Sequence, residues 1–366
     1  MTGSQLSRAN AHTVTSRSDL LSFTGQDLTQ SVSPDSDSGK ALFYCTLLAL
    51  QYGLQPVLAK TFSSPQANKN SIVIATEMMK ICITISSLLK ESPEGRKKLW
   101  DSWSFVDYLT IAATPAALYA VQNLFMQYGY TMLDSMTVNL LNQTKTLSAA
   151  FFLYIIMGNK QSSVQVFALF LLLIAAMALT SGVQIYESLS SGEGLAGLMS
   201  LWESSSVGKG GDSTYLTGIA FILGASAISG LSTALTQKAL KSGRHALLFS
   251  GELAVFGILV LVATDWFQKR QLFQEGGPFQ GWTLATLIPV VSNACGGIVV
   301  GFVTKYAGGV TKGFALIAGI LVTAVADYFV YGTPLGPQHI ISTVLVSLSI
   351  YLHSSFKYVE KKKKTE

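Results

Sequence analysis

Charge is what this sequence has least of. Asp, Glu, Lys and Arg supply 12% of its 366 residues, against roughly 25% in soluble globular domains. Too few ionic groups remain to clothe a water-facing surface, so the solvent of much of this chain is lipid. Cysteine is scarce too. Cys45, Cys82 and Cys295 fall singly in apolar segments, which excludes a disulfide framework and a thiolate metal site. There is no Gly-rich phosphate loop in strand–helix context, no HExxH and no nucleophile elbow. The stretch 187–214 is rich in Ser and Gly and poor in acids. A membrane glycosyltransferase would need acids in a substantial domain outside the bilayer to activate a sugar donor, so that class is excluded. Residues 1–40 hold no apolar core of the ~7–15 residues that a secretory signal needs. Their Ser, Thr, Asp and Gln content predicts a disordered tail. The net charge of +5 gathers largely in a terminal lysine run and gives no indication of nucleic-acid binding.

Long apolar runs are abundant instead, and the mean hydropathy is +0.41. Crossing a ~30 Å hydrocarbon core takes ~20 apolar residues. Ten segments meet that test: Ala41–Ala59, Ser71–Leu89, Phe105–Tyr128, Met136–Met157, Val164–Tyr186, Tyr215–Leu240, Ala246–Phe267, Thr283–Thr304, Thr311–Val330 and His339–Ser355. A backbone in lipid must satisfy its own hydrogen bonds, and segments this long without two-residue alternation predict helices rather than a barrel. The expected class is an all-α membrane protein of ten transmembrane helices.

The basic residues orient it. With both termini in the cytosol, fifteen Lys and Arg flank the cytosolic ends. Only Lys60, Lys69, Lys209, Lys269 and Arg270 flank the other side. Positive charge stays inside, so this orientation is expected. An internal repeat is also visible. Thr144-Lys145 and Thr311-Lys312 each precede a small, apolar run; Asn123 precedes the first and Asn293 the second; Gly53-Leu54 pairs with Gly230-Leu231. The shared offset is five helices, so the second copy is inverted, as in many carriers with a midplane site. The chain then divides into a tail (1–40), a first five-helix repeat (41–186), a lumenal loop (187–214), a second repeat (215–355) and a basic cytosolic tail (356–366).

Charges inside the crossings mark the candidate site, because each costs at least ~2.5–3.5 kcal/mol to insert. They are Glu77, Lys80, Lys145, Lys238, Glu252, Asp327 and His353. Lys238 and His353 lie where they can snorkel to the interface. Glu77 and Lys80 share a helix face and can neutralise each other. Lys145 lies about nine residues inside the expected helix, with no acid within a turn; Lys312 has none either. Asn139, Asn142, Gln143 and Thr144 surround the first. Two unpaired lysines at matching repeat positions suit an anion with at least two negative groups, such as phosphates. Glu252 is left two roles, accepting sugar hydroxyls or pairing with a lysine of the site.

Ordered along the chain, several runs resemble the nucleotide-sugar transporters, in the branch of the CMP-sialate and UDP-galactose carriers. They are Ala117-Leu118-Tyr119-Ala120-Val121-Gln122-Asn123, Leu133-Asp134-Ser135, Gln143-Thr144-Lys145, and Lys305-Tyr306-Ala307 through Lys312-Gly313-Phe314. Leu48-Ala49-Leu50-Gln51-Tyr52-Gly53, the stretch from Gly281-Trp282-Thr283 to Ser292-Asn293-Ala294, and the basic tail are similar to the plant endoplasmic-reticulum carriers of UDP-N-acetylglucosamine and UDP-N-acetylgalactosamine. The resemblance runs from about Ala41 to Ser355. It implies the drug/metabolite transporter fold, ten helices in two inverted five-helix repeats. It also implies antiport without a cofactor, a UDP-sugar entering the lumen as UMP leaves. A CMP-sugar antiporter and a phosphorylated-metabolite or drug exporter on the same fold are the alternatives. Asn123, Lys145 and Lys312 match positions that hold nucleotide and phosphate in that branch, and Ser250 matches an Asn that touches nucleotide. Val138 and Ala254 stand where the branch has Tyr, and Phe256 where it has Ser, so cytidine specificity does not carry over. The candidate substrate-binding set is Lys145, Lys312, Asn123, Gln122, Tyr119, Asn139, Asn142, Gln143, Ser250, Glu252, Asn293, Glu77 and Lys80. Lys363 and Lys364 resemble a dilysine retrieval signal, which implies coat-protein recognition and residence in the endoplasmic reticulum, with the Golgi as alternative. A homodimer is a further expectation.

Overall fold

The computed structural model of this chain describes residues 34–358, apart from 65, 102, 134, 191–211, 268–276 and 278. Every regular element among them is helical. In chain order these are α1 (Pro34–Phe62), α2 (Lys69–Leu89), α3 (Pro93–Asp101), α4 (Phe105–Met132, with a π-helical turn at Tyr108–Ala112), α5 (Ser135–Asn142) and α6 (Lys145–Met157). Then come α7 (Ser163–Ser190), α8 (Asp212–Lys241), α9 (Ala246–Phe267), α10 (Leu287–Tyr306), α11 (Gly309–Tyr331) and α12 (Pro337–Ser355).

Seven of these, α1, α2, α4, α8, α9, α10 and α11, are long and apolar enough to cross a bilayer. Their outer faces carry large hydrophobic side chains: Phe329 is 78% exposed and Leu259 59%. Bare apolar surface on this scale is unstable in water and ordinary in lipid. The chain is a multi-pass membrane protein.

The boundaries depart from the sequence expectation in three places. First, α1 begins at Pro34, ahead of the expected Ala41, with proline at the helical position that tolerates it best. Second, the short polar helix α3 lies in what read as a loop. Third, the expected continuous segment Met136–Met157 is two helices. The chain breaks at Gln143-Thr144, where the Thr144 amide and hydroxyl both donate to the Leu141 carbonyl, at 3.1 and 2.6 Å. A side chain that bonds its own backbone in this way competes with the helix ladder. Lys145 is therefore the first residue of α6 rather than a mid-helix residue.

Packing pairs the elements. α1 lies against α10 and α11, α8 against α4 and α6, α2 against α9, and α7 against α12. Small residues allow the closest approaches. Gly53 of α1 meets the backbone of Gly319 on α11, and a Cβ at Gly230 of α8 would lie 2.5 Å from the Ser148 backbone of α6. One core of Leu153, Leu172, Ala234, Phe314, Ile317 and Val346 joins α6, α7, α8, α11 and α12. α1 is tied to α10 by Gln51, whose amide donates to the Ser292 carbonyl (3.0 Å), and by Gln55, which donates to that of Pro289 (3.0 Å).

Candidate functional site

Two helix starts meet inside the bundle. α6 begins at Lys145, just past the break at Gln143-Thr144. α11 begins at Gly309, past the sharp turn in which Gly308 holds φ +90°, a conformation other residues rarely adopt. The two starts touch: a Cβ on Gly313 would lie 2.7 Å from Thr146 Cγ2. Lys145 and Lys312, each one residue before that contact, lie within electrostatic reach of each other. Both are partly buried. Among the described residues neither makes an ion pair. Lys312 Nζ donates to Thr233 Oγ1 of α8 at 3.2 Å.

A hydroxyl-rich stripe of α8 lines the same place. Tyr119 of α4 faces Ser232, Thr233 and Thr236 and feels the charge of Lys312. Ser232 Oγ donates to the Pro115 carbonyl (3.1 Å) and Gln237 Oε1 accepts from the Gly309 amide. Two atoms, Thr236 Oγ1 and Gln122 Oε1, are buried without a hydrogen-bond partner. Unpaired buried polar atoms are costly, and a polar ligand would relieve both. Sequence reasoning missed the α8 stripe. Its signal was present: Ser232, Thr233, Thr236 and Gln237 share one face of an otherwise apolar helix.

The remaining candidates separate. Asn123 and Asn293 are exposed, and Asn142 and Gln143 half-buried around the break. The side chain of Asn139 lies outside the described residues, as do Lys363 and Lys364. Glu77 and Lys80 pair with each other. They sit between α9 and α10, Glu77 against Gly257 and Lys80 against Gly297. Ser250 is buried and its hydroxyl donates to the Ala246 carbonyl of its own helix (2.9 Å). Glu252 pairs with neither candidate lysine. Its carboxylate is gripped by Arg244 at 2.7 and 3.1 Å and accepts Trp103 Nε1–H at 3.0 Å. Both of its oxygens are engaged, which leaves it a structural tie. Arg244 lies in the turn before α9, a position that reads from sequence only as a basic flank. Val138 and Ala254 are fully buried, and Phe256 stacks on Tyr108 at 4.9 Å. A cavity of 790 Å³ between α1, α11 and α12 reaches Gln237, Gly308 and Gly309 but is lined by neither Lys145 nor Lys312.

Two lysines thus lie at touching helix starts, and neither makes an ion pair among the described residues. Comparison with known proteins gives the family. Residues 41–354 match the nucleotide-sugar transporters, and the chain belongs to that family. It is 39% identical to a UDP-N-acetylglucosamine transporter of Arabidopsis thaliana, over 91% of this chain and 97% of that one. It is 26% identical to a UDP-N-acetylglucosamine/UDP-N-acetylgalactosamine transporter of Caenorhabditis elegans, over 69% and 70% of the two chains. A CMP-sialic acid transporter of Oryza sativa is also 26% identical, over 68% and 64%. A protein solved by crystallography shares the fold, with a TM-score of 0.59 at 10% identity, over 86% of this chain and 96% of that one.

Proposed function

We propose that this transporter exchanges UDP-N-acetylglucosamine or UDP-N-acetylgalactosamine for UMP across the endoplasmic-reticulum or Golgi membrane, with Lys145 and Lys312 holding the phosphates. The observation that carries this reading is the lysine pair, set at two touching helix starts with no acidic partner among the described residues. Helix N-termini and ammonium groups both favour phosphate. The hydroxyls of Tyr119, Thr233 and Thr236 and the amide of Gln122 offer neutral hydrogen bonds beside it. An empty site would strand two cations in a poorly solvated place, so the carrier reorients slowly unless a nucleotide returns with it. That makes exchange obligatory without an ion gradient. The uridine preference rests on the Arabidopsis relative and on Val138, Ala254 and Phe256, which stand where the CMP-sialate branch has Tyr, Tyr and Ser.

Rocking of two inverted repeats accounts for alternating access. The reading has ten crossings, in which α5 with α6, α7 and α12 join the seven long helices. Exchanging α1 with α8, α2 with α9, α4 with α10, α5–α6 with α11, and α7 with α12 carries the main packed pairs onto one another. α1–α10 becomes α8–α4, α1–α11 becomes α8–α6 and α2–α10 becomes α9–α4, while α8–α10 and α9–α10 have no counterpart of similar extent. The tryptophans before α4 and α10 obey the exchange as well. Trp103 donates to Glu252 of α9, and Trp282 donates to Ser71 of α2 at 2.9 Å. The test is uptake of labelled UDP-, CMP- and GDP-sugars into proteoliposomes preloaded with UMP or CMP. The proposal expects UMP-driven uptake of UDP-N-acetylhexosamines; uptake driven by CMP alone would overturn the base assignment.

A further inference from the structure

A second binding place lies on the flank of the bundle. α1 and α12 both pack on α11 and leave a cleft between them, the 790 Å³ cavity. Its floor is one face of α11, from Gly308 through Phe314 and Ala318 to Val322. At 1.5 Å per residue that floor is about 21 Å long, against roughly 15 Å for one leaflet of a ~30 Å hydrocarbon core. The walls are Leu42, Cys45 and Ala49 of α1 and Ile350 of α12. Leu42, Leu50 and Ile350 are 71%, 47% and 41% exposed, so the cleft opens sideways towards lipid.

Polarity changes along the cleft. The end near the start of α1 and the finish of α12 carries Lys241, Lys357, Asn159, Gln161, His353 and Ser38, and no residue lining the cavity is acidic. Gln161 Oε1 and His353 Nε2 are buried there without hydrogen-bond partners. The first turn of α11, with Gly309, Val310 and Thr311, opens on the same end and adds the positive pole of a helix to the two lysines. The inner part offers only aliphatic and aromatic surface. A sugar nucleotide is polar along its whole length and does not match this division. Lys145 and Lys312 do not line the cleft.

We propose that this cleft binds an anionic phospholipid from the leaflet on the side where α1 begins and α12 ends. The headgroup phosphate sits by Lys241, Lys357 and the α11 N-terminus, Gln161 and His353 bond the headgroup or ester region, and an acyl chain lies along Ala318 and Val322. Basic pockets between membrane helices recognise such headgroups. The cleft adjoins the exchange site at the α11 start and shares Gln237 and Gly309 with it, but neither Lys145 nor Lys312 lines it.

The test uses the full-length protein in phosphatidylcholine vesicles carrying a trace of photoactivatable phosphatidylserine or photoactivatable phosphatidylcholine. Crosslinks are mapped by mass spectrometry. Crosslinks from the serine lipid to α1, α11 and α12 are expected to exceed those from the choline lipid several-fold. The double variant K241Q/K357Q should bring the two lipids level. A318W should cut labelling by both, and size-exclusion profiles would show that each variant is folded. Equal labelling by both lipids that neither variant changes overturns the proposal. So does competition by free phosphoserine or UMP, which would make the occupant a soluble anion. A several-fold rise on deleting residues 1–33 would make the chain's own tail the occupant. None of these readouts needs transport, so failure here leaves the exchange reading to its own test.

Discussion

At the scale of single residues, an ammonium inside an apolar bundle persists only where something uses it. Lys145→Ala or Lys312→Ala removes one charge-assisted contact to phosphate, of about 1.5–3 kcal/mol. Exchange should fall by at least about tenfold, while the variants still insert and elute as folded protein. Glu252 belongs to a different account. Removing one partner from a buried ion pair costs about 3–5 kcal/mol, so Glu252→Ala should lower the unfolding temperature in a thermal-shift assay. The double change R244L/E252L should recover most of the loss. His245, in the turn between α8 and α9, has its pKa lowered, by burial first and by Lys305 second, against a smaller opposing effect of Glu91. The folded protein then binds fewer protons than the unfolded chain just below pH ~6.5. Stability is therefore full above that pH and declines as pH falls towards the folded-state value. The melting temperature of His245→Gln should be flatter than that of the unsubstituted protein across this window. The lysine pair was legible because an unpaired charge stands out in an apolar run. The partner of Glu252 was not, because it depends on how the turn at Gly243 (φ +98°) aims Arg244.

At the scale of elements, the decisive feature is a helix that stops. Hydropathy averages over a window of residues, so the break at Gln143-Thr144 vanishes into the surrounding apolar segment. Its chemical cause, a threonine bonding the carbonyl three residues back, was still written in the polar run Asn142-Gln143-Thr144. α3 escaped because Pro93–Asp101 is short and charged, unlike any crossing. The glycine contacts make a paired prediction. Gly53 of α1 packs against α11, and Gly230 of α8 packs against α6. Gly53→Val and Gly230→Val should each lower folded yield and thermal stability, since overpacking costs about 1–3 kcal/mol or more. Gly158→Ala meets no atom within 4 Å, and its φ of +66° is the only obstacle, so its effect should be smaller, about 1 kcal/mol.

At the scale of the whole molecule, the proposed exchange rests on two repeats meeting at the lysine pair. Thr-Lys and Asn spacing suggests their five-helix offset. Trp103-Ser104-Phe105 and Trp282-Thr283-Leu284 match at the same offset, and each tryptophan donates a hydrogen bond to a neighbouring helix. The lateral cleft could not be read from sequence at all. It exists because α1 and α12 reach α11 without closing on each other, and no linear pattern records a gap. The hydroxyl face of α8 lies between these cases, since its spacing was visible but its partner, Lys312, was fixed only by folding.

The most direct test of the central claim is uptake of labelled UDP-N-acetylglucosamine into vesicles with and without internal UMP, for the unsubstituted protein and for Lys145→Ala and Lys312→Ala. The account predicts that uptake requires internal UMP and that each substitution lowers it at least about tenfold while the protein stays folded. Uptake that ignores internal nucleotide, or that survives near its full rate in either variant, would contradict it.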